Sequence, residues 1–443
     1  MRFVARIAFI VAATFIAGIV VTQRYITSYS ESNLFTATRT TGDKSRLLHS
    51  NPVGKEPSHS SHSFLRVRSS DDTHTVTKFS ADEVSPRPFV ALSSSVFALG
   101  AAYDAREGNM GRQHIRVLLV ARPHRNLMCR FPNGTVIDGG KLYEMSENHA
   151  MMYGVYFLNC PLPPNERLAD RIEVKIATKT ALWRFVPIIY DIPHESAIKE
   201  YKYELTICLP FLFGHKYTAE HFIEFMELNR LLGVDHFVVY VNGSSVPESV
   251  RKVAEFYEQL GLLVISRLKM PVRSKYIWYH GQLVSITDCL YRNMGVSRFV
   301  VFQDLDEFLI PQKPNSSVEA APLLATLNAI FVKDVAAIRV PAQYMRITEP
   351  GGLKTLRNTI RRHTLEFKLT KCVVRPEMVF EQGIHHTSRV IQDHYEVLDI
   401  DKSSLLLYHF KNMGGSEIDD TIPMNYGDRL RQRFDEVLKK IHL

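Results

Sequence analysis

The sequence predicts an α/β protein, with a parallel sheet carrying helices on both faces from residue 203 onward and a small β-rich domain before it. Three observations carry that reading. Beyond Tyr203, apolar runs of strand length alternate with stretches whose apolar residues recur at helical spacing, the pattern of a parallel sheet. Over 88–202 the apolar runs are short, alternate with period two and are broken by turn signals, the pattern of a small sandwich. At the amino terminus an apolar run, 7–21, lies between Arg2 and Arg6 on one side and Arg24 on the other.

That first run, with its flanks, is long enough to cross a hydrocarbon core of roughly 30 Å. A cleaved signal peptide is the rival, but no small-x-small cleavage site stands out around residues 17–23. The expectation is an uncleaved signal anchor over 7–24 with a cytoplasmic tail over 1–6, leaving the remainder lumenal. Residues 25–87 are rich in Ser, Thr, His, Arg and Lys and contain Pro52, Pro57 and Pro86. They bury too little apolar surface to offset ordering, so they read as a flexible stem. His49, His59, His62 and His74 fall here at irregular spacing with no Cys nearby, which argues against a metal site.

The β-rich domain, 88–202, shows strand-like runs at 89–98, 115–121, 153–158, 172–177 and 185–189. Asn133-Gly134, Asp138-Gly139-Gly140 and the prolines at 161–164 mark turns between them. Cys129 and Cys160 suit a disulfide between two of its strands in an oxidising lumen. Of five cysteines this leaves Cys208, Cys289 and Cys372. Cys208 on a strand and Cys289 on a helical face read as small buried hydrophobes, and no Cys-His spacing recommends a nucleophile. Asn133, Asn242 and Asn315 open N-glycosylation sequons, consistent with a lumenal address.

The third part, 203–443, opens with a strand at 205–213. A helix is predicted over 219–232, stopped by Gly233, then a strand at 236–241, a helix at 247–260 stopped by Gly261, and a strand at 262–266. A helix at 282–294 leads into the strand FVVF and then DLDEFLIP, 304 to 311, with Asp304, Asp306 and Glu307 at the strand's carboxyl end. Ligands of open α/β sheets gather there. Asp304 and Asp306 are two apart, so an extended backbone puts both carboxylates on one side, where hard oxygens suit Mn²⁺ or Mg²⁺. A solvated turn is the plainer alternative. Neither GxGxxG nor GxxxxGK[ST] follows the first strand, which argues against a Rossmann dinucleotide site and a P-loop. The net charge of +8 is partly stem and partly the last helix, with Arg429, Arg431, Arg433, Lys439 and Lys440. An anchored lumenal chain does not meet nucleic acid, so this is read as a solvated face.

The ordered motifs KYELTICLPFLFG from Lys202, GVDHF from Gly233, GQ before the 282 helix, VFQDLDEFLIP, KCVVRPEMVFEQGIHH from Lys371 and YHF from Tyr408 resemble glycosyltransferase family 92. The resemblance covers most of 203–413, and it departs at His409-Phe410-Lys411, where members commonly show His-Tyr-Arg. It implies a GT-A nucleotide-sugar-binding fold in a Golgi type II membrane enzyme. The implied reaction moves galactose from UDP-galactose, with inversion, to a glycan hydroxyl such as that of core fucose on N-glycans. A Mn²⁺ or similar cation would be held by Asp304, Asp306 and, by family analogy, His409. Gln282, Asp304, Lys371 and Arg375 are expected toward the nucleotide sugar, with Lys275 and Arg346 as further basic candidates. Inversion needs a base for the acceptor proton, and Glu381, His385 and His386 are the candidates, with no choice among them. A hydrolase is disfavoured because Asp304 and Asp306 are too close to flank a glycosidic bond. The rival outside catalysis is a silent lumenal glycan-binding membrane protein.

Overall fold

The computed structural model describes residues 87–441, apart from 124–125, 165, 167–168, 213–216, 244–245, 313–320 and 350. The expected tail, the anchor, the stem up to residue 86 and the Asn315 sequon lie outside the described residues. Among the described residues no helix is long and apolar enough to cross a membrane.

The β-rich region forms one nine-stranded sheet. Its centre is Val96–Asp104, His114–Ala121 and Gly154–Pro161, paired antiparallel. Asn126–Arg130, Val136–Lys141 and Tyr143–Glu144 are strands that the periodicity did not reveal. The first two of these hold polar residues and glycines, which weakens the period-two signal. Cys129 and Cys160 sit on strands well separated in the sheet order, yet they are joined with Cα atoms 6.3 Å apart, so the sheet curls until its two ends meet. The expected sandwich is therefore a single rolled sheet.

The second sheet is mixed rather than wholly parallel. Leu263–Leu268, His236–Asn242, Tyr203–Leu212 and Ser297–Phe302 lie side by side, all parallel. Glu366–Val374 then pairs antiparallel with Ser297–Phe302 and with Val335–Arg346. Strand order reverses between Tyr203–Leu212 and Ser297–Phe302, which creates a topological switch point beyond their carboxyl ends. Leu205, Ile207 and Leu209 pack with Phe222, Phe225 and Tyr257 on one face, while Cys208 and Val300 pack with Leu283 and Leu290 on the other. The helix Ala219–Leu232 begins where Thr218 accepts a hydrogen bond from the His221 N–H, 3.3 Å, and ends at Gly233 with φ 107°. A Cβ at Gly233 would lie 2.4 Å from that of Ala321, so the stop also needs a bare backbone.

Three expectations are corrected by packing. The β-rich and α/β parts are not separate globules: both belong to one compact unit, and Leu99, Val120, Phe157 and Tyr190 share a core with Val238, Leu290 and Phe380. Cys208 and Cys289 are not independent small hydrophobes but a second disulfide, tying the central strand to the helix Gln282–Asn293. Cys372 is free and buried. Arg87, placed at the end of the stem, belongs to the folded body. Its N–H donates to Arg267 O at 2.9 Å and its guanidinium meets the wholly buried Asp288 at 2.7 Å.

Candidate active site

Beyond Phe302 the chain does not continue extended, as expected for the acidic motif, but turns. Glu307 N–H donates to Asp304 O at 3.1 Å, closing the turn, and Glu307–Pro311 leaves as a strand paired with Leu405–Phe410. Leu305 is buried beneath the turn, so Asp304 and Asp306 project around an anchored residue. The Asp304 N–H is held by Glu307 Oε2 at 2.9 Å, and Phe410 N–H donates to Asp306 O at 2.9 Å. The register that sets Glu307 opposite His409 brings the imidazole to the turn, with Nε2 3.9 Å from Asp306 Oδ2 and Nδ1 3.4 Å from Glu307 Oε1.

Lys371 enters from the neighbouring strand Glu366–Val374. Its ammonium is 3.1 Å from Asp304 Oδ2 and 3.4 Å from Glu307 Oε2, with the side chain only 2% exposed. Burial opposes its charge, but Asp304 and Glu307 outweigh burial and hold it protonated. Burial pushes the Glu307 carboxyl up, with Asp304 and Asp306 adding to the rise, while the Lys371 ammonium pulls it back down. Burial likewise draws His409 down to about 4, which leaves a neutral imidazole at neutral pH. Glu307 was visible in the motif without an assigned role, and its contacts with both Lys371 and His409 follow from strand pairing that no local pattern reports.

The other expected residues fall into different surroundings. Gln282 is buried at the start of its helix, with Oε1 unpartnered, after Gly281 at φ 88°. Arg375 is corrected: its guanidinium donates to the carbonyls of Phe331, Val332 and Lys333 at 2.6 to 3.0 Å, serving the backbone after the helix Pro322–Ile330 rather than a phosphate. Lys275 lies over the Tyr276 ring, and Arg346 is exposed at the end of its strand. Glu381 is corrected as well. Its carboxylate is buried and accepts from Tyr143 Oη at 2.5 Å, Ser146 N at 2.7 Å and Ser146 Oγ at 2.8 Å, a clasp between the β-rich region and the α/β part. His386 pairs with Glu147 across the same junction at 3.0 Å, a bond that raises its pKa. His385 Nδ1 lies 3.0 Å from Thr370 O, so Nδ1 carries the proton and Nε2 remains an acceptor. Burial, then the Lys371 charge, lowers its pKa, while Asp304 acts in the opposite sense. Both imidazoles keep Nε2 for a substrate, but the Glu147 bond raises the pKa of His386, whereas that of His385 is lowered by burial and His385 lies within electrostatic reach of Asp304.

A carboxylate turn thus lies at the switch point of an α/β sheet, the place where such folds gather ligands, with a buried cation and a neutral imidazole beside it. A model of glycosyltransferase family 92 matches residues 203–442. Beta-1,4-galactosyltransferase galt-1 of Caenorhabditis elegans is 37% identical over 360 residues, 80% of this chain and 83% of that protein. Galactan beta-1,4-galactosyltransferases GALS2 and GALS3 of Arabidopsis thaliana are 24% and 26% identical, each over 43% of this chain and over 34% and 38% of their own lengths. The chain belongs to glycosyltransferase family 92, and it is a glycosyltransferase.

Proposed function

We propose that the chain transfers galactose from UDP-galactose to a hydroxyl of a glycan, with inversion, on a GT-A fold. The observation that carries the reading is the turn Asp304 to Glu307 at the switch point, with Lys371 and His409 converging on it from separate strands. The activities named for the relatives, galactosyl transfer in each case, support the galactosyl group. Fucosylated N-glycan cores are the proposed acceptor. The placement is as a type II membrane protein of the Golgi with its active site in the lumen.

The donor set suits a divalent cation. Two partly exposed carboxylates and a neutral imidazole match what Mn²⁺ accepts, and His409 Nδ1, though near Glu307, makes no hydrogen bond. Among the described residues no three such groups already converge to metal-ligand spacing, so binding requires small side-chain adjustment. Asp304, Asp306 and His409 would hold the ion. When bound, it supplies Lewis-acid neutralisation of the departing diphosphate. Lys371, fixed between Asp304 and Glu307, adds a permanent positive charge beside that group. His385 Nε2 takes the acceptor proton as the hydroxyl attacks the anomeric carbon. Glu307 orients Lys371 and the Asp304 backbone.

Incubating the protein with a panel of UDP-sugars, Mn²⁺ and glycans tests the reading. Acceptor-dependent UDP release is expected with UDP-galactose, abolished by EDTA, and release that ignores EDTA would remove the cation from the proposal. His409→Ala separates ligand from packing residue. It is expected to raise the Mn²⁺ concentration for half-maximal rate by about tenfold or more, the scale on which weakened metal shells act. An unshifted Mn²⁺ curve with a lowered melting temperature would assign His409 to the core instead.

A further inference from the structure

Backbone strain is concentrated at one place. Among the described residues five non-glycine positions have positive φ, and four are His149 at 51°, Ala150 at 51°, Tyr279 at 45° and His280 at 61°. Such conformations cost free energy that a glycine would avoid, and they persist only where the surroundings impose them. The two pairs are far apart in sequence but form two tips that meet. The His149 and Trp278 rings have centroids 4.1 Å apart at 37°, and Tyr279 follows Trp278 at 6.3 Å.

Both tips are braced from behind. Ser146 donates twice to Glu381, Glu147 accepts from Ile384 N–H and pairs with His386, and Asn148 exchanges bonds of 2.7 and 3.0 Å with Val155. Tyr153 N–H donates to Tyr276 O at 3.0 Å, locking one tip to the other. Despite this bracing the rings are not used as core, since Trp278 is 37% and Tyr279 57% exposed. Order without burial points to a ligand.

The tip at Trp278 and Tyr279 follows the carboxyl end of Leu263–Leu268, a strand parallel to Ser297–Phe302, so it lies beyond the same edge of the sheet as the acidic turn. We propose that Trp278, Tyr279 and His149 form the platform on which a sugar ring of the acceptor glycan lies. This deepens the transferase reading and rests on it. A pyranose has an apolar C–H face that settles on an aromatic ring and a rim of hydroxyls that imidazoles can bond. A nucleobase also stacks. His149 lies outside the family-matched residues 203–442, while Trp278 and Tyr279 lie inside them with the carboxylates and Lys371, so the platform spans the two parts, and UDP in the test below separates a base from a sugar.

The chain has two tryptophans, so Trp183→Phe leaves Trp278 as the sole indole reporter. Its emission is expected to change saturably with a core-fucosylated N-glycan oligosaccharide or a β-1,4-galactan oligosaccharide and not with UDP. In transfer assays Trp278→Ala is expected to raise the acceptor KM about tenfold, with the UDP-sugar KM shifted less than about twofold and Trp278→Phe restoring part of the loss. Saturation by UDP alone, emission indifferent to both glycans, or an unmoved acceptor KM would overturn the platform. A glycan response in a protein that transfers no sugar would sustain the platform while sinking the transferase reading, so the two failures are distinguishable.

Discussion

Asp306→Ala is expected to reduce sugar transfer on the order of a thousandfold while the melting temperature moves by only a few degrees. The loss follows from the proposed role, since charge neutralisation of a leaving diphosphate is worth several kcal/mol and each ~1.4 kcal/mol is a factor of ten in rate. The retained fold follows from what the side chain does in the structure. Its carboxylate stands 3.9 Å from the His409 ring and is partly exposed, whereas the bond that shapes the turn runs from Phe410 N–H to the Asp306 carbonyl and survives in alanine. Initial rates with and without EDTA, paired with thermal melts, check both halves. A folded variant of full activity would take the acidic turn out of the reaction. Asp304→Ala is a poorer choice, because it also releases the buried Lys371 from one of its two carboxylate partners.

The largest effect on stability is expected at the buried Asp288. Its carboxylate has no exposure and accepts from Arg87 at 2.7 and 3.2 Å, Tyr190 at 2.5 Å and Tyr240 at 2.6 Å, with Arg292 at 3.7 Å. Burial disfavours the charge, but Arg87 and then Arg292 overcome it and hold the carboxyl down to about 2. Removing one partner of a buried pair costs about 3–5 kcal/mol because the other charge stays buried, and here two guanidiniums are left. Asp288→Ala is therefore expected to lower the melting temperature by on the order of 10 °C. Because the folded pKa is depressed, the stabilisation is full above the ordinary aspartate range and is lost as pH falls through about 2. A melt within two degrees of wild type would show that the cluster relaxes by admitting water. A truncated chain beginning at Pro88 would also discard Arg87, so an active secreted form has to start before it.

Local features were legible without the structure. The helix 219–232 and its glycine stop were read to the residue, because periodicity and helix termination are properties of neighbours in the chain. The motif 304 to 311 was found for the same reason, since a buried-type strand ending in carboxylates is a contiguous signal. Pairings across long separations were not legible. The Cys208–Cys289 bridge, the carbonyl-bound Arg375 and the clasped Glu381 each depend on which strands and loops become neighbours.

The sequence by itself determined the alternation of strands and helices, the acidic strand end and, through ordered motifs, the family. Only the tertiary structure decided that Lys371 and Glu307 join Asp304 in one cluster, that His386 is paired with Glu147 while His385 faces the acidic turn's field, and that two strained tips meet. The physical reason is one of range. Side-chain periodicity and caps act over a few residues, whereas a site made by strand register and a shared core comes from contacts between segments far apart in the chain, which no local pattern specifies.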